Sequence, residues 1–265
     1  MVASQFGSTV MVVGSEGYLG SVLVPFLRDT GYLVDGIDAQ WFTGLGHVAG
    51  DAVDVRNFSL KALPAQPEAI VYLAAVSNDP MGATFAEATR SINVEAAVKL
   101  ATEAKALGVR RFVFASSCSI YGHAGLEKKN ETDALDPITA YAASKVEAER
   151  RLGAISGPGF QVSCLRFATA CGFSPNLRLD LVLNDFVASA VQLGKISILS
   201  DGTPWRPLIN VSDIARAIEW ALRHPHDYES IAINVGSEDF TYTIGNLAEV
   251  VSELIPGTEL EISAA

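Results

Sequence analysis

The sequence predicts an α/β protein built on a doubly wound parallel sheet, with a small C-terminal lobe that binds substrate. Three observations predict it. Short, almost wholly apolar runs at Thr9–Val13, 69–73 and 111–115 read as strands buried on both faces. Longer segments with apolar residues at helical spacing alternate with them. A glycine loop joins the first run to the first helical segment. Strand–helix alternation implies parallel pairing through right-handed crossovers, with helices on both faces of the sheet.

In order, the run Thr9–Val13 ends at Gly14, and residues 19–29 follow as a helix stopped by Thr30-Gly31. Leu33–Ile37 is a second strand ending at Asp38, and 39–51 is a glycine-rich loop. The strand at 69–73 enters a turn-rich segment, Ala74-Ala75-Val76-Ser77-Asn78-Asp79-Pro80. Residues 85–107 read as one long alanine-rich helix closed by Gly108. The strand at 111–115 runs into Ser116-Ser117-Cys118-Ser119. Asp136-Pro137 opens a helix that carries Tyr141 and Lys145, and 161–166 is a further strand. Beyond Gly172 the rhythm changes: helical runs at 181–193, 212–223 and Ile244–Leu254 are joined by short strand-like pieces. The reading is a nucleotide-binding domain over 1–172 and an interleaved mixed α/β lobe over 173–265, with no linker between them.

Composition narrows the function. The chain has 265 residues, 49% hydrophobic and 18% charged, with a formal net charge of −11. An acidic surface disfavours nucleic-acid binding, which needs a basic face. No run of eighteen apolar residues is present, so no membrane span is expected. Met1 to Ser8 lacks the pattern of a secretory signal. Three cysteines, Cys118, Cys164 and Cys171, lack metal-ligand spacing and point to a reduced, cytoplasmic setting. His47, His123, His224 and His226 show no helix-spaced pairing, so no metal is expected.

Two motifs carry chemistry. Gly14-Ser-Glu16-Gly17-Tyr18-Leu19-Gly20 follows a strand and opens a helix. Glycines there permit a tight turn and close approach of backbone to a pyrophosphate, and the helix N-terminus offers N–H groups and a positive dipole end. Asp38, 24 residues after Gly14 and at the end of the next strand, suits hydrogen bonds from an adenosine ribose. It would repel a 2′-phosphate, so NAD is favoured over NADP. The second motif is Tyr141-Ala-Ala-Ser-Lys145. Four-residue spacing puts both side chains on one helix face. A nearby ammonium favours phenolate, so such a tyrosine exchanges protons with an alcohol near neutral pH.

The order of these pieces resembles the extended short-chain dehydrogenase/reductase family, in its NAD-dependent nucleotide-sugar epimerase/dehydratase branch. The matching residues are Gly14/Gly17/Gly20, Asp38, Asp54-Val55, Leu73-Ala74-Ala75, Asn93, the run Ser116 to Gly122, Tyr141/Lys145 and the run Trp205 to Asp213. The resemblance implies a Rossmann fold and a set of roles. Asp54 and Val55 would contact adenine, and Leu73, Ala74 and Ala75 would line the cofactor. Glu16, Tyr18, Leu19 and Asn93 belong to the cofactor set. Ser117 would hydrogen-bond the reacting sugar oxygen, Tyr141 would transfer the proton, and Lys145 would hold the nicotinamide ribose. Arg206 would grip a nucleotide diphosphate, a role suited to a bidentate guanidinium. Ser77, Asn78, Cys118, Thr169 and Asn184 complete the expected substrate set.

Departures from the family pattern bear on the reaction. The 4,6-dehydratases carry an Asp-Glu pair where this chain has Cys118-Ser119, and decarboxylating relatives place a glutamate at the position of Ser119. Epimerases often have asparagine at the position of Thr169. Relatives usually continue beyond the Glu259–Ile262 region and supply a second arginine, so the expectation is either a sequence cut short here or a reduced substrate lobe. The favoured reading is a UDP-glucose 4-epimerase-like enzyme. An NAD(P)-dependent ketoreductase or dehydrogenase, a nucleotide-sugar dehydratase and a non-catalytic NAD-binding sensor stay open as alternatives. The expected partner is a second copy of the chain, joined through the helices at 85–107 and 137–152.

Overall fold

The computed structural model describes residues 7–41, 51–77, 79–122, 127–224 and 228–262. Asn78, His47, His123 and His226 lie outside them. Its elements, in order, are β1 (Thr9–Val13), α1 (Gly20–Asp29), β2 (Leu33–Ile37), β3 (Ala69–Tyr72), α2 (Asp79–Thr84), α3 (Ala86–Arg90), a π-helical turn (Ser91–Ala96), α4 (Ala97–Ala106), β4 (Arg111–Ser117), α5 (Ala140–Ile155), β5 (Gln161–Phe167), β6 (Thr169–Cys171), α6 (Val182–Leu193), β7 (Lys195–Ile198), β8 (Trp205–Asn210), α7 (Val211–Arg223), β9 (Ser230–Val235), β10 (Thr241–Thr243), α8 (Ile244–Leu254) and β11 (Glu259–Ile262).

Six strands form one parallel sheet in the order β2-β1-β3-β4-β5-β9. The apolar runs become its strands because both faces are covered. On one side Leu100 and Ala104 of α4 and Ala148 and Leu152 of α5 pack on Met11, Ile70, Phe112 and Val162. On the other, Leu23 and Leu27 of α1 and Ile214 and Ile218 of α7 pack on Val10, Val12, Val71 and Leu165. A third core holds the lobe together, with Phe186, Ile196, Ile198, Leu208, Leu247 and Val251 buried between α6, α8 and the short strands. There β10 and β6 flank β8, and β11 pairs with β7.

Three details go beyond the expected layout. The boundary at 172 divides the sequence and not the fold. The chain leaves the sheet after β5, builds part of the lobe, then returns: α7 covers the sheet and β9 becomes its sixth strand before the lobe is completed. The helix expected at 85–107 runs without interruption through α3, a π turn and α4, and α2 precedes it. Asn93 lies within the π turn. Its buried amide accepts from the Val76 N–H (2.9 Å) and donates to the Val76 carbonyl (3.1 Å). The π turn aims it at that loop, and the Tyr72 hydroxyl donates to the Ile92 carbonyl within the turn (2.7 Å). Lastly, the helix with Tyr141 opens at Ala140 and not at Pro137, because Thr139 caps it by accepting from the Ala142 N–H (3.1 Å).

Candidate active site

The expected site residues gather at the carboxyl ends of successive strands, where open α/β sheets bind ligands. Gly14 follows β1, Asp38 follows β2, Leu73 to Ser77 follow β3, Ser117 ends β4 and Thr169 stands just past β5.

The glycine loop is shaped by what its glycines permit. Gly14 has φ +90°, and a Cβ there would sit 2.8 Å from the Ala74 backbone nitrogen. A Cβ on Gly20 would lie 2.1 Å from the Gly14 carbonyl oxygen. No side chain caps the N-terminus of α1. Asp38 lies against this loop: its carboxylate accepts the Glu16 N–H (3.0 Å) and the Gln40 N–H (2.7 Å). Leu73 and Ala74 donate their N–H groups to the Val13 carbonyl (2.8 and 2.9 Å), which holds the β3 loop beside the glycines. These features fit a dinucleotide: a backbone cradle that a Cβ would fill, an uncapped helix end for phosphate, and a fixed carboxylate for a ribose. Asp54 is joined to this corner because the Val53 N–H donates to the Asp38 carbonyl (2.7 Å). Arg56 occupies its carboxylate and holds it below the usual carboxylate range. Val55 is buried behind it.

Tyr141 and Lys145 stand one turn apart on α5. The Lys145 ammonium lies 5.5 Å from the centre of the Tyr141 ring and 4.6 Å from that of Phe114, and it donates to the Ala115 carbonyl (2.7 Å). Its side chain is fully buried, and burial pushes its pKa down to about 7 against the opposing pull of Glu149 and Cys164. Ser117 is half-buried at the end of β4. Its hydroxyl oxygen accepts the Ser119 N–H (3.2 Å) and the Ser119 hydroxyl (2.9 Å), so it also caps the turn Cys118–Tyr121. The Cys118 thiol is pushed up to about 11 by burial, partly offset by the Arg206 guanidinium. Arg206 is exposed on β8, where its guanidinium donates to the Trp205 carbonyl (2.9 Å). Thr169 on β6 pairs in register with Leu208 on that same strand.

The family profile described as "NAD dependent epimerase/dehydratase family" matches residues 10–236. The chain belongs to that family. It is an enzyme of the extended short-chain dehydrogenase/reductase type, and its cofactor is NAD. Among its relatives, the UDP-glucose 4-epimerase of Rhizobium leguminosarum bv. trifolii is 28% identical over 94% of this chain and 82% of its own. The uncharacterized UDP-glucose epimerase YtcB of Bacillus subtilis is 26% identical over 82% of this chain and 73% of its own. The solved structure of MoeE5 in complex with UDP-glucose and NAD is 27% identical with a TM-score of 0.85, covering 97% of this chain and 85% of MoeE5.

Within this epimerase/dehydratase fold, two of the expected ligand residues brace the loops of the site. Asn93 is fully buried, with its amide spent on Val76 and on the Ser144 hydroxyl (3.0 Å), so it supports the β3 loop from beneath. Asn184 is buried too: it accepts the Gly172 N–H (3.0 Å) and donates to the Arg178 carbonyl (3.0 Å) and the Tyr18 hydroxyl (3.3 Å). Tyr18 in turn donates to the Gly172 carbonyl (2.8 Å). Sequence reasoning missed this strap over 172–180. Ser174 donates to the Tyr18 carbonyl (2.8 Å), Asn176 to the Glu16 carbonyl (2.7 Å), and Arg178 to the Ser77 hydroxyl (2.7 Å). The strap thereby ties the lobe to both the glycine loop and the β3 loop. Pro175 between two small polar residues was its only sequence signal. Among the described residues, no helix is long and apolar enough to cross a membrane.

Proposed function

We propose that this enzyme is a nucleotide-sugar epimerase acting on a UDP-hexose, with Tyr141 as its single proton-transfer residue. The observation that carries the reading is the Tyr141/Lys145 pair beside a β4 end that offers Cys118 and Ser119, and no carboxylate, as neighbours of Ser117. A dehydratase needs a second acid/base to expel water, and neither side chain serves. NAD, when bound, supplies the acceptor and later the donor of the hydride. Gly14, Gly17, Gly20 and Asp38 would hold it through the cradle and the ribose carboxylate.

The chain's own groups do the rest. Tyr141 takes the proton of the sugar hydroxyl as the carbon beneath is oxidised, and gives it back on reduction. The adjacent Lys145 charge favours the phenolate. Ser117 orients the same sugar oxygen by a hydrogen bond, and Arg206 pairs with the diphosphate. Inversion follows if the oxidised sugar turns before the hydride returns. Relatives named for UDP-glucose epimerisation support the UDP-sugar class. A cytoplasmic homodimer completes the reading. Its contact face would be the outer side of the α3–α4 run and α5, where Arg90 of α3, Glu95 of the π turn, and Glu147 and Arg151 of α5 form a shared ion-pair cluster. Sedimentation at varied concentration tests the dimer, and a monomer at all concentrations removes it. For the reaction, UDP-glucose, UDP-galactose and their N-acetyl and uronic acid analogues would be incubated singly with protein and NAD and followed by proton NMR. Stereoinversion without net NADH is expected. Stoichiometric NADH formation with accumulation of an oxidised sugar would make the enzyme a dehydrogenase instead.

A further inference from the structure

Lys145 is a buried ammonium, and its contacts are a carbonyl and two rings. A buried cation needs an anion nearby. Glu149 lies one turn further along α5, on the same face. Its side chain is 8% exposed and is fixed from two strands. Arg166 of β5 donates through Nε (3.1 and 3.2 Å) and Nη2 (2.8 Å), and the Ser116 hydroxyl of β4 donates at 2.5 Å. Arg166 also donates to the Tyr121 hydroxyl (2.8 Å), which donates to Asn234 (2.7 Å). Behind Glu149, away from the β4 end, a cleft of about 350 Å³ opens between α5 and β9. Buried ion pairs stabilise a fold little better than apolar residues of the same size. Folding alone therefore gives weak reason for one beneath the active-site lysine.

We propose that Glu149 is a positioning residue: a fixed counter-ion that keeps Lys145 in its ammonium form beside Tyr141 and, through Ser116, holds the strand end that carries Ser117. This rests on the roles of Tyr141, Lys145 and Ser117 given above. The titratable groups facing Lys145 are few. Tyr141 and Glu149 flank it on α5, and β5 contributes Cys164 with Arg166 beyond it. β4 contributes the Phe114 ring, the Ala115 carbonyl and the Ser116 hydroxyl. The Cys164 thiol is pushed above its ordinary range by burial and stays neutral. Arg166 is engaged by Glu149 itself. Glu149 is anchored at Ser116, next to the Ala115 carbonyl that Lys145 bonds, and one helical turn from Lys145 on α5, so its negative charge favours the ammonium form.

The test reads the lysine directly. The chain has seven lysines, so protein labelled with carbon-13 at the lysine Cε gives a resolvable spectrum, with Lys145 assigned from the Lys145→Met variant. Titration would compare the wild-type protein with Glu149→Gln, and with Glu149→Gln/Arg166→Gln, which avoids an orphaned buried guanidinium. Glu149→Asp serves as the conservative rescue. The Lys145 midpoint is expected to fall by about one pH unit or more in both charge-removing variants and to recover in the aspartate variant. The alkaline limb of UDP-sugar turnover should move with it. An unmoved midpoint in the folded double variant would overturn the proposal, even if turnover drops. If the midpoint falls but the wild-type protein turns over no UDP-sugar, the counter-ion stands and the epimerase reading fails.

Discussion

Replacing Gly14 by alanine attacks the cofactor cradle at its tightest point. Gly14 sits at φ +90°, and the new methyl would meet the Ala74 nitrogen at 2.8 Å and Ala74 Cα at 3.1 Å. Both are backbone atoms of the loop after β3, so no side chain can swing aside. An L-residue held at such a φ costs about 1–3 kcal/mol. In the free protein the glycine loop can move off Ala74 to relieve the strain. Closing it again around a dinucleotide restores the cost, so NAD affinity should fall by roughly 5- to 150-fold at 1.4 kcal/mol per decade. Gly17→Ala is the discriminating control. Its methyl would touch only the Gly14 carbonyl at 3.5 Å, an ordinary contact. Its thermal stability should stay near that of the wild-type protein while NAD binding still weakens, because the space filled is the space a pyrophosphate needs. Calorimetric NAD titration and thermal denaturation on both variants supply the readouts. Wild-type NAD affinity in both would refute the cradle.

Further outcomes follow from single contacts. Asp38→Ala should erode the preference for NAD over NADP, measured by competitive binding, and an unaltered preference would remove Asp38 from the ribose role. Asn93→Ala leaves the buried Val76 N–H and carbonyl unpaired, at about 1–3 kcal/mol for each group. Denaturant unfolding should show the loss, and a variant of wild-type stability would show that water replaces the amide. Lys145 has its folded pKa depressed to about 7 by burial, below its ordinary value. The unfolded chain then binds the proton more tightly above pH 7, and stability from this residue rises as pH climbs from about 7 toward 10. The wild-type protein should gain stability relative to Lys145→Met across that window, and a constant difference would contradict the depressed value.

The strands and the two chemical motifs were legible because each is a local pattern. An apolar run such as Val10 to Val13 has few environments other than a sheet covered on both faces. Gly14 to Gly20 and Tyr141/Lys145 encode their geometry in spacing. What was illegible depends on side chains meeting across long separations. Asn93 looked like one more residue on an alanine-rich helix, yet it sits in a π turn with its amide bonded to Val76. The course of the interleaved lobe was illegible for a related reason. The amphipathic face of α7 and the apolar run of β9 suit either lobe, and only pairing with β5 assigns β9 to the main sheet. Arg166 carried an unread signal, since a charged residue inside the apolar strand 161–167 has to find a partner, and that partner is Glu149.

The most direct measurement is proton NMR of a UDP-hexose incubated with catalytic amounts of the NAD-loaded protein, run in parallel with Tyr141→Phe. The expected result is conversion to the epimer at constant NADH in the wild-type protein, and its loss in the variant while NAD affinity is retained. Epimerisation by Tyr141→Phe at the wild-type rate would contradict the assignment of the proton transfer to that tyrosine.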